Sequence, residues 1–251
     1  MGNKLLVVYN TCGVLRDHDR GFRNTSFNRY FDYYVNSIEG LLDQDLDGLK
    51  VVVSMYKNTI KCKKELAKKF GNKISYVFYD EGKLSVNQTF NRTVQLSVEK
   101  FGKFDGYMFL DSGVSFGPVI ESHPKYGVVE YERNRFVIGK MYDLLVSGPY
   151  ALVDGQVDWD AGYEHPPAQI RDENFIIPVG KAVNTHIRIW SHEFYEKYDR
   201  KLLPDVFAAY CLESVLSFFA SAIKKKWVIL KDQIVHHAGT VEDPRGSNSA
   251  D

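Results

Sequence analysis

The chain has 251 residues, 44% hydrophobic and 25% charged, with 32 basic residues balanced by 32 acidic ones. That length suits one large α/β domain or two small ones, and the even balance lacks the basic field that draws proteins to nucleic acid. No apolar run approaches the roughly 20 residues needed to cross a bilayer.

Residues 4–10 read as a buried strand, followed by a polar stretch at 16–21 and an aromatic helix over 28–42. Residues 43–48 turn the chain into a second strand, 49–55. Asn58 and Thr59 stand where they can cap a helix over 60–70, which ends at Gly71. A third strand follows at 74–79. Either Ser85 or Asn87 opens a long amphipathic helix that runs to Phe101 and closes at Gly102, and a fourth strand covers 107–110. This alternation predicts a mostly parallel central sheet flanked by helices on both faces.

After Gly117 the texture changes. A strand is expected at 126–131, and 141–145 reads as strand or helix. Residues 154–167 are polar and turn-rich, the composition of a long functional loop or lid. A strand at 183–190 precedes a helix at 191–198. Residues 205–224 form the most amphipathic helix, then 227–230 and 233–235 read as strands ending in His236-His237. The tail 243–251 has a disordered composition. One domain over 1–242 is expected.

The opening nine residues carry too short an apolar stretch for a secretory signal, and Leu6 breaks the myristoylation pattern. Cys12, Cys62 and Cys211 are odd in number and widely spaced, as reduced thiols are. A cytoplasmic protein is expected, with at most peripheral membrane association. The Asn-x-Ser/Thr positions Asn24, Asn87 and Asn91 are then not glycosylated.

Several familiar motifs are missing. The first strand is not followed by GxGxxG, and the chain contains no GxxxxGK[ST] or HExxH. Asp111, Glu213 and His236-His237 remain. Asp111 ends the run Tyr107-Met108-Phe109-Leu110, and ligands of open α/β sheets bind at the carboxyl ends of strands. A charge there needs a cation or a hydrogen-bond donor, although residues 104–113 alone read equally well as a capped turn. Glu213 alone reads as a solvated first-turn residue, and the His pair as structural. Thr11 after the first strand, and Tyr56, Lys57 and Asn58 after the second, lie at ligand-facing ends suited to a nucleobase. Asp158, Trp159 and Asp160 fall in the polar loop, where composition alone suggests contact with a sugar. Arg188 reads either as a counter-charge for a diphosphate or as the partner of a surface carboxylate.

In chain order these residues resemble the GT-A glycosyltransferases, close to the family-2-like group, over about 48–117 and 175–240. Leu84-Ser85-Val86-Asn87-Gln88-Thr89-Phe90-Asn91-Arg92 sits where the family's Asn-bearing helix begins. Phe109-Leu110-Asp111-Ser112-Gly113 sits where the family's DxD motif ends its strand, with Gly113 in place of the second Asp. Leu212-Glu213-Ser214-Val215-Leu216-Ser217-Phe218 resembles the helix that presents an acidic base to the acceptor, with Asp205 as a second candidate. Val235-His236-His237-Ala238-Gly239 resembles the terminal His motif.

The resemblance implies a single GT-A-like domain, with a nucleotide-sugar half at 1–117 and an acceptor half at 118–242. It implies catalysis by Glu213 or Asp205 and donor binding by Thr11, Tyr56, Asn58, Asn91, Asp111, Ser112 and Gly113. Asp158 and Trp159 would bind the acceptor, and Asp111, His236 and His237 would hold Mn²⁺ or Mg²⁺. The implied activity moves a sugar from a nucleotide-diphosphate donor to a hydroxyl of a glycan or glycoprotein. A nucleotidyltransferase would normally carry a Gly-rich basic loop, which Thr11-Cys12-Gly13-Val14-Leu15-Arg16 matches poorly. A non-catalytic carbohydrate-binding protein on this fold is the competing class, because Gly113 degrades the motif.

Overall fold

Apolar runs and amphipathic stretches each take the element their period demands. In the computed structural model the described residues are 4–10, 27–57, 60–80, 84–111, 114–116, 120–123, 127–130, 134–160, 173–181, 187–205 and 213–237. The first half alternates β1 (Leu5–Asn10), α1 (Phe27–Leu42), β2 (Leu49–Tyr56), α2 (Ile60–Phe70), β3 (Ile74–Tyr79), α3 (Val86–Phe101) and β4 (Gly106–Asp111). Short strands follow: β5 (Val114–Ser115), β6 (Ile120–His123) and β7 (Gly127–Glu130). The second half holds α4 (Val137–Ser147), β8 (Tyr150–Asp160), β9 (Phe175–Ile176), β10 (Ile187–Ser191), α5 (His192–Lys197), α6 (Glu213–Ala222) and β11 (Lys226–His237).

The main sheet runs β3-β2-β1-β4-β10-β8-β11-β5, with β9 paired to β11, while β6 and β7 form a separate hairpin. β1, β2, β3 and β4 pair in parallel. β10 is antiparallel to both β4 and β8, and β11 is parallel to β8. Six strands therefore share one direction.

Both faces of the sheet are covered. Leu5, Val7 and Tyr9 point to one side, where α1, α2 and α4 contribute Ile38, Leu66 and Met141. Leu6 and Val8 point to the other, against Phe90, Phe194 and Leu216 of α3, α5 and α6. This two-sided burial explains why β1 reads as a continuous apolar run. The expected α/β architecture, a mostly parallel sheet between two helical layers, is what the chain forms.

Ser85 is the cap of α3: its hydroxyl accepts from the Gln88 amide at 3.2 Å while Gln88 accepts from the Ser85 amide at 2.9 Å. Gly102 closes the helix at φ 87°. Ser85→Ala should cost about 1 kcal/mol in a denaturant titration and Ser85→Gly only a few tenths, the usual ranking for this position. A Ser85→Ala loss of only a few tenths would mean that the hydroxyl bond contributes little.

One open reading closes and three expectations change. Residues 141–145 are helical, because burial of Val137, Ile138, Met141, Tyr142 and Leu145 follows a helical stripe. Residues 154–160 are not loop but the second half of β8, and only 161–167 of that expected lid lie outside the described residues. The expected helix from 205 is described only from Glu213 onward, with Asp205 outside it. The two short strands near the end are one twelve-residue strand, β11, with register shifts between Ile229 and Ile234.

Candidate functional site

Because six strands run the same way, their carboxyl ends form one edge, the customary ligand side of an open α/β sheet. β4 ends there at Asp111, opposite Asn10 of β1. β8 ends at Asp160, opposite His237 of β11. The two-residue strand β5 follows Asp111 closely and pairs with β11, Val114 opposite His237 and Ser115 opposite His236. Three residues span at most about 11 Å, so this register keeps the His pair's backbone near the end of β4. α6 leads into β11 through the short 223–225 turn and packs on it, so Glu213 opens α6 at the same edge.

Other expected residues divide into three groups. Tyr56 ends β2 opposite Tyr79 and is largely buried, and the Tyr79 hydroxyl lies 2.7 Å from that of Thr93. Lys57 pairs at the surface with Asp80 at 3.0 Å. Asp158 and Trp159 belong to β8 as strand residues rather than loop residues. Thr11, Asn58, Ser112 and Gly113 lie outside the described residues, as do the side chains of Asp111, Asp158, Trp159, Glu213, His236 and His237.

Two residues have their polar groups engaged inside the protein. Asn91, expected among the donor contacts, is 3% exposed. Its amide nitrogen donates to the Leu203 carbonyl at 2.6 Å and to Asp205 Oδ1 at 3.0 Å. Its oxygen accepts from the Leu202 and Leu203 amides at 3.0 and 3.1 Å. Asp205, expected as a second base, accepts that bond and meets Lys201 Nζ at 2.8 Å, which pushes the lysine pKa up. The sequons at Asn87 and Asn91 are buried in α3.

Arg188 has a buried carboxylate partner. It forms a bidentate pair with Asp154, Nε to Oδ1 at 2.9 Å and Nη2 to Oδ2 at 3.0 Å, and Trp227 donates to Oδ2 at 2.8 Å. Asp154 is fully buried and Arg188 is 5% exposed, the guanidinium lying 4.4 Å from the Trp227 ring. Sequence reading missed this partnership because the two residues meet only through the register of β8 and β10.

At the opposite edge, the Tyr107 hydroxyl and His192 Nδ1 are 2.7 Å apart, and Tyr142 donates to Asp105 at 2.8 Å. Burial, then the Asp105 bond, push Tyr142 up to about 12. Burial, then Lys103 and Arg200, hold His192 below its usual value against the pull of Glu196 and Asp105. As pH falls through about 6.5 the unfolded chain then binds a proton before the folded one, so stability drops. Melting temperature should fall between pH 7.5 and 5.5, and less steeply in His192→Asn. Parallel slopes would exclude His192 as the source.

Among the described residues no three His, Cys, Asp or Glu side chains gather to hold a metal, and no helix is long and apolar enough to cross a membrane. No family model and no curated protein matches the sequence. Solved structures do match. A mannosyltransferase from Pyrobaculum calidifontis, in complex with GDP-Man and Mn²⁺, aligns over 97% of this chain at 10% identity with a TM-score of 0.61. This chain spans 59% of that protein's length. A protein from Desulfovibrio desulfuricans assigned to the nucleotide-diphospho-sugar transferases gives 0.52 at 10% identity, covering all of this chain and 88% of the other. The 4-diphosphocytidyl-2C-methyl-D-erythritol synthase from Anaerococcus prevotii gives 0.50 at 10% identity, covering 98% and 94%. At such identities the likeness is one of fold: the chain has a GT-A-like fold, of the kind found in nucleotide-diphospho-sugar transferases and nucleotidyltransferases.

Proposed function

We propose that the protein is a glycosyltransferase that moves a sugar from a nucleotide-diphosphate donor to a hydroxyl of a glycan or glycoprotein. The observation that supports this most is the gathering, at one carboxyl edge, of the end of β4 at Asp111, the His236-His237 end of β11 and the Glu213 start of α6. Asp111, with His236 or His237, would supply a mixed oxygen and nitrogen donor set. That set suits Mn²⁺ better than Mg²⁺, which prefers oxygen throughout. When bound, such a cation offsets the negative charge that develops on the departing nucleotide diphosphate. Glu213 takes the proton of the acceptor hydroxyl as its oxygen bonds to the anomeric carbon and the bond to the diphosphate oxygen breaks. Tyr56, at the end of β2, contributes an aromatic wall on the nucleoside side.

A panel of UDP-, GDP-, dTDP- and CMP-sugars, each with and without Mn²⁺, tests this by thermal shift, because a ligand that binds only the folded state raises its stability. One nucleotide giving a metal-dependent rise is the expected result. A rise indifferent to metal would remove the metal set and leave a metal-free transferase. No rise with any donor would favour a non-catalytic carbohydrate-binding protein on this fold.

A nucleotidyltransferase is the second reading, favoured by the near-complete length match to the cytidylyl-linked synthase. It requires stabilisation by a free nucleoside triphosphate, readable in the same experiment with CTP added, and release of pyrophosphate, readable in a separate pyrophosphate assay.

A further inference from the structure

The segment 200–205 lies along one stripe of α3. Asn87, Asn91 and Gln95 occur four residues apart, so they share a helix face. Asn87 donates to the Pro204 carbonyl at 3.2 Å, and Gln95 donates to the Arg200 carbonyl at 3.4 Å. Between them Asn91 makes the four bonds to Leu202, Leu203 and Asp205, which use every donor and acceptor of a carboxamide. Leu202 and Leu203 are themselves buried in the core beneath α3 and α6. Buried amides satisfied this fully hold one geometry, because any displacement strands several polar groups at once.

We propose that Asn91 is a positioning residue: it fixes segment 200–205 and, through the packing of Leu202 and Leu203 in one cluster with Leu216, α6 and therefore Glu213. The inference rests on the proposed role of Glu213 only in its last step. It gives Asn91 a task different from touching the donor.

Asn91→Asp is the discriminating change. The carboxylate still accepts from the Leu202 and Leu203 amides, but it loses both donated bonds and faces Asp205 across a 3.0 Å contact. Amide exchange at Leu202, Leu203 and Ser217–Phe219 should rise by about tenfold, with β1 and β4 unchanged. The double variant Asn91→Asp/Asp205→Asn, which restores a donor across that contact, should recover part of the protection. Faster exchange at Leu202 and Leu203 with none in α6 would overturn the proposal. If Asn91→Asp shows no cooperative unfolding, Asn87→Ala replaces it, with the same expectation and the same overturning result. With a donor found by the panel, Asn91→Asp should lower kcat and leave the donor KM unchanged, whereas a raised donor KM would mean direct contact and overturn the proposal. A wild-type protein that turns over no donor would overturn the transferase reading while the exchange result still decides the role of Asn91.

Discussion

Asp154→Ala is expected to lower the unfolding free energy by about 3–5 kcal/mol, the usual cost of removing one member of a buried ion pair. That is a large part of the roughly 5–15 kcal/mol that holds a domain together. The substitution removes two charge-assisted bonds from Arg188 and the acceptor of the Trp227 indole, all at a fully buried site. Arg188 then loses its bidentate counter-charge in the low-dielectric layer between Trp190 and Trp227. Asp154→Leu combined with Arg188→Met should recover most of the loss, because apolar residues of similar volume need no mutual neutralisation. Denaturant unfolding of both single variants and the double variant decides the matter. A single-variant cost below about 1 kcal/mol would place the pair with weak surface bridges.

Glu213→Gln is expected to lower kcat by about 10²- to 10⁴-fold, the range a positioned general base supplies. Under the proposed mechanism the amide still fits the acceptor but cannot take its proton. Donor stabilisation in the thermal-shift panel should therefore survive. Asp111→Ala should do the opposite and abolish the donor's metal-dependent shift, because it acts before chemistry. Steady-state kinetics with the donor identified by the panel separate the two. If Glu213→Gln keeps full turnover, the base lies elsewhere. If Asp111→Ala keeps the metal-dependent shift, the His pair or another group holds the cation.

Legibility followed the range of the interactions. The first seven elements were readable because each is set by its own residues: apolar runs for β1, β2, β3 and β4, and cap and stop signals for α3 and α2. Boundaries shifted by only a residue or so, as with Tyr56 joining β2. Asp154 failed as a guide because a lone Asp in a polar stretch signals a turn. Its partner stands 34 residues away and neutralises it only once β8 and β10 are side by side. The bonds of Asn91 were illegible likewise, since its partners at Leu202 and Leu203 are 111 and 112 residues distant. The candidate positions Asp111, Glu213 and His236-His237 could be picked out individually, but their shared edge is a property of the sheet.

Local sequence by itself determined the α/β alternation, the α3 cap and the placement of Asp111 at a strand end, because periodicity and end signals act over a few residues. Tertiary structure alone decided that 154–160 is strand, that Arg188 pairs with Asp154, and that Asn91 bonds to Leu202, Leu203 and Asp205. Those outcomes depend on burial, which makes an unpaired charge or amide costly and so selects partners that neighbouring residues cannot supply.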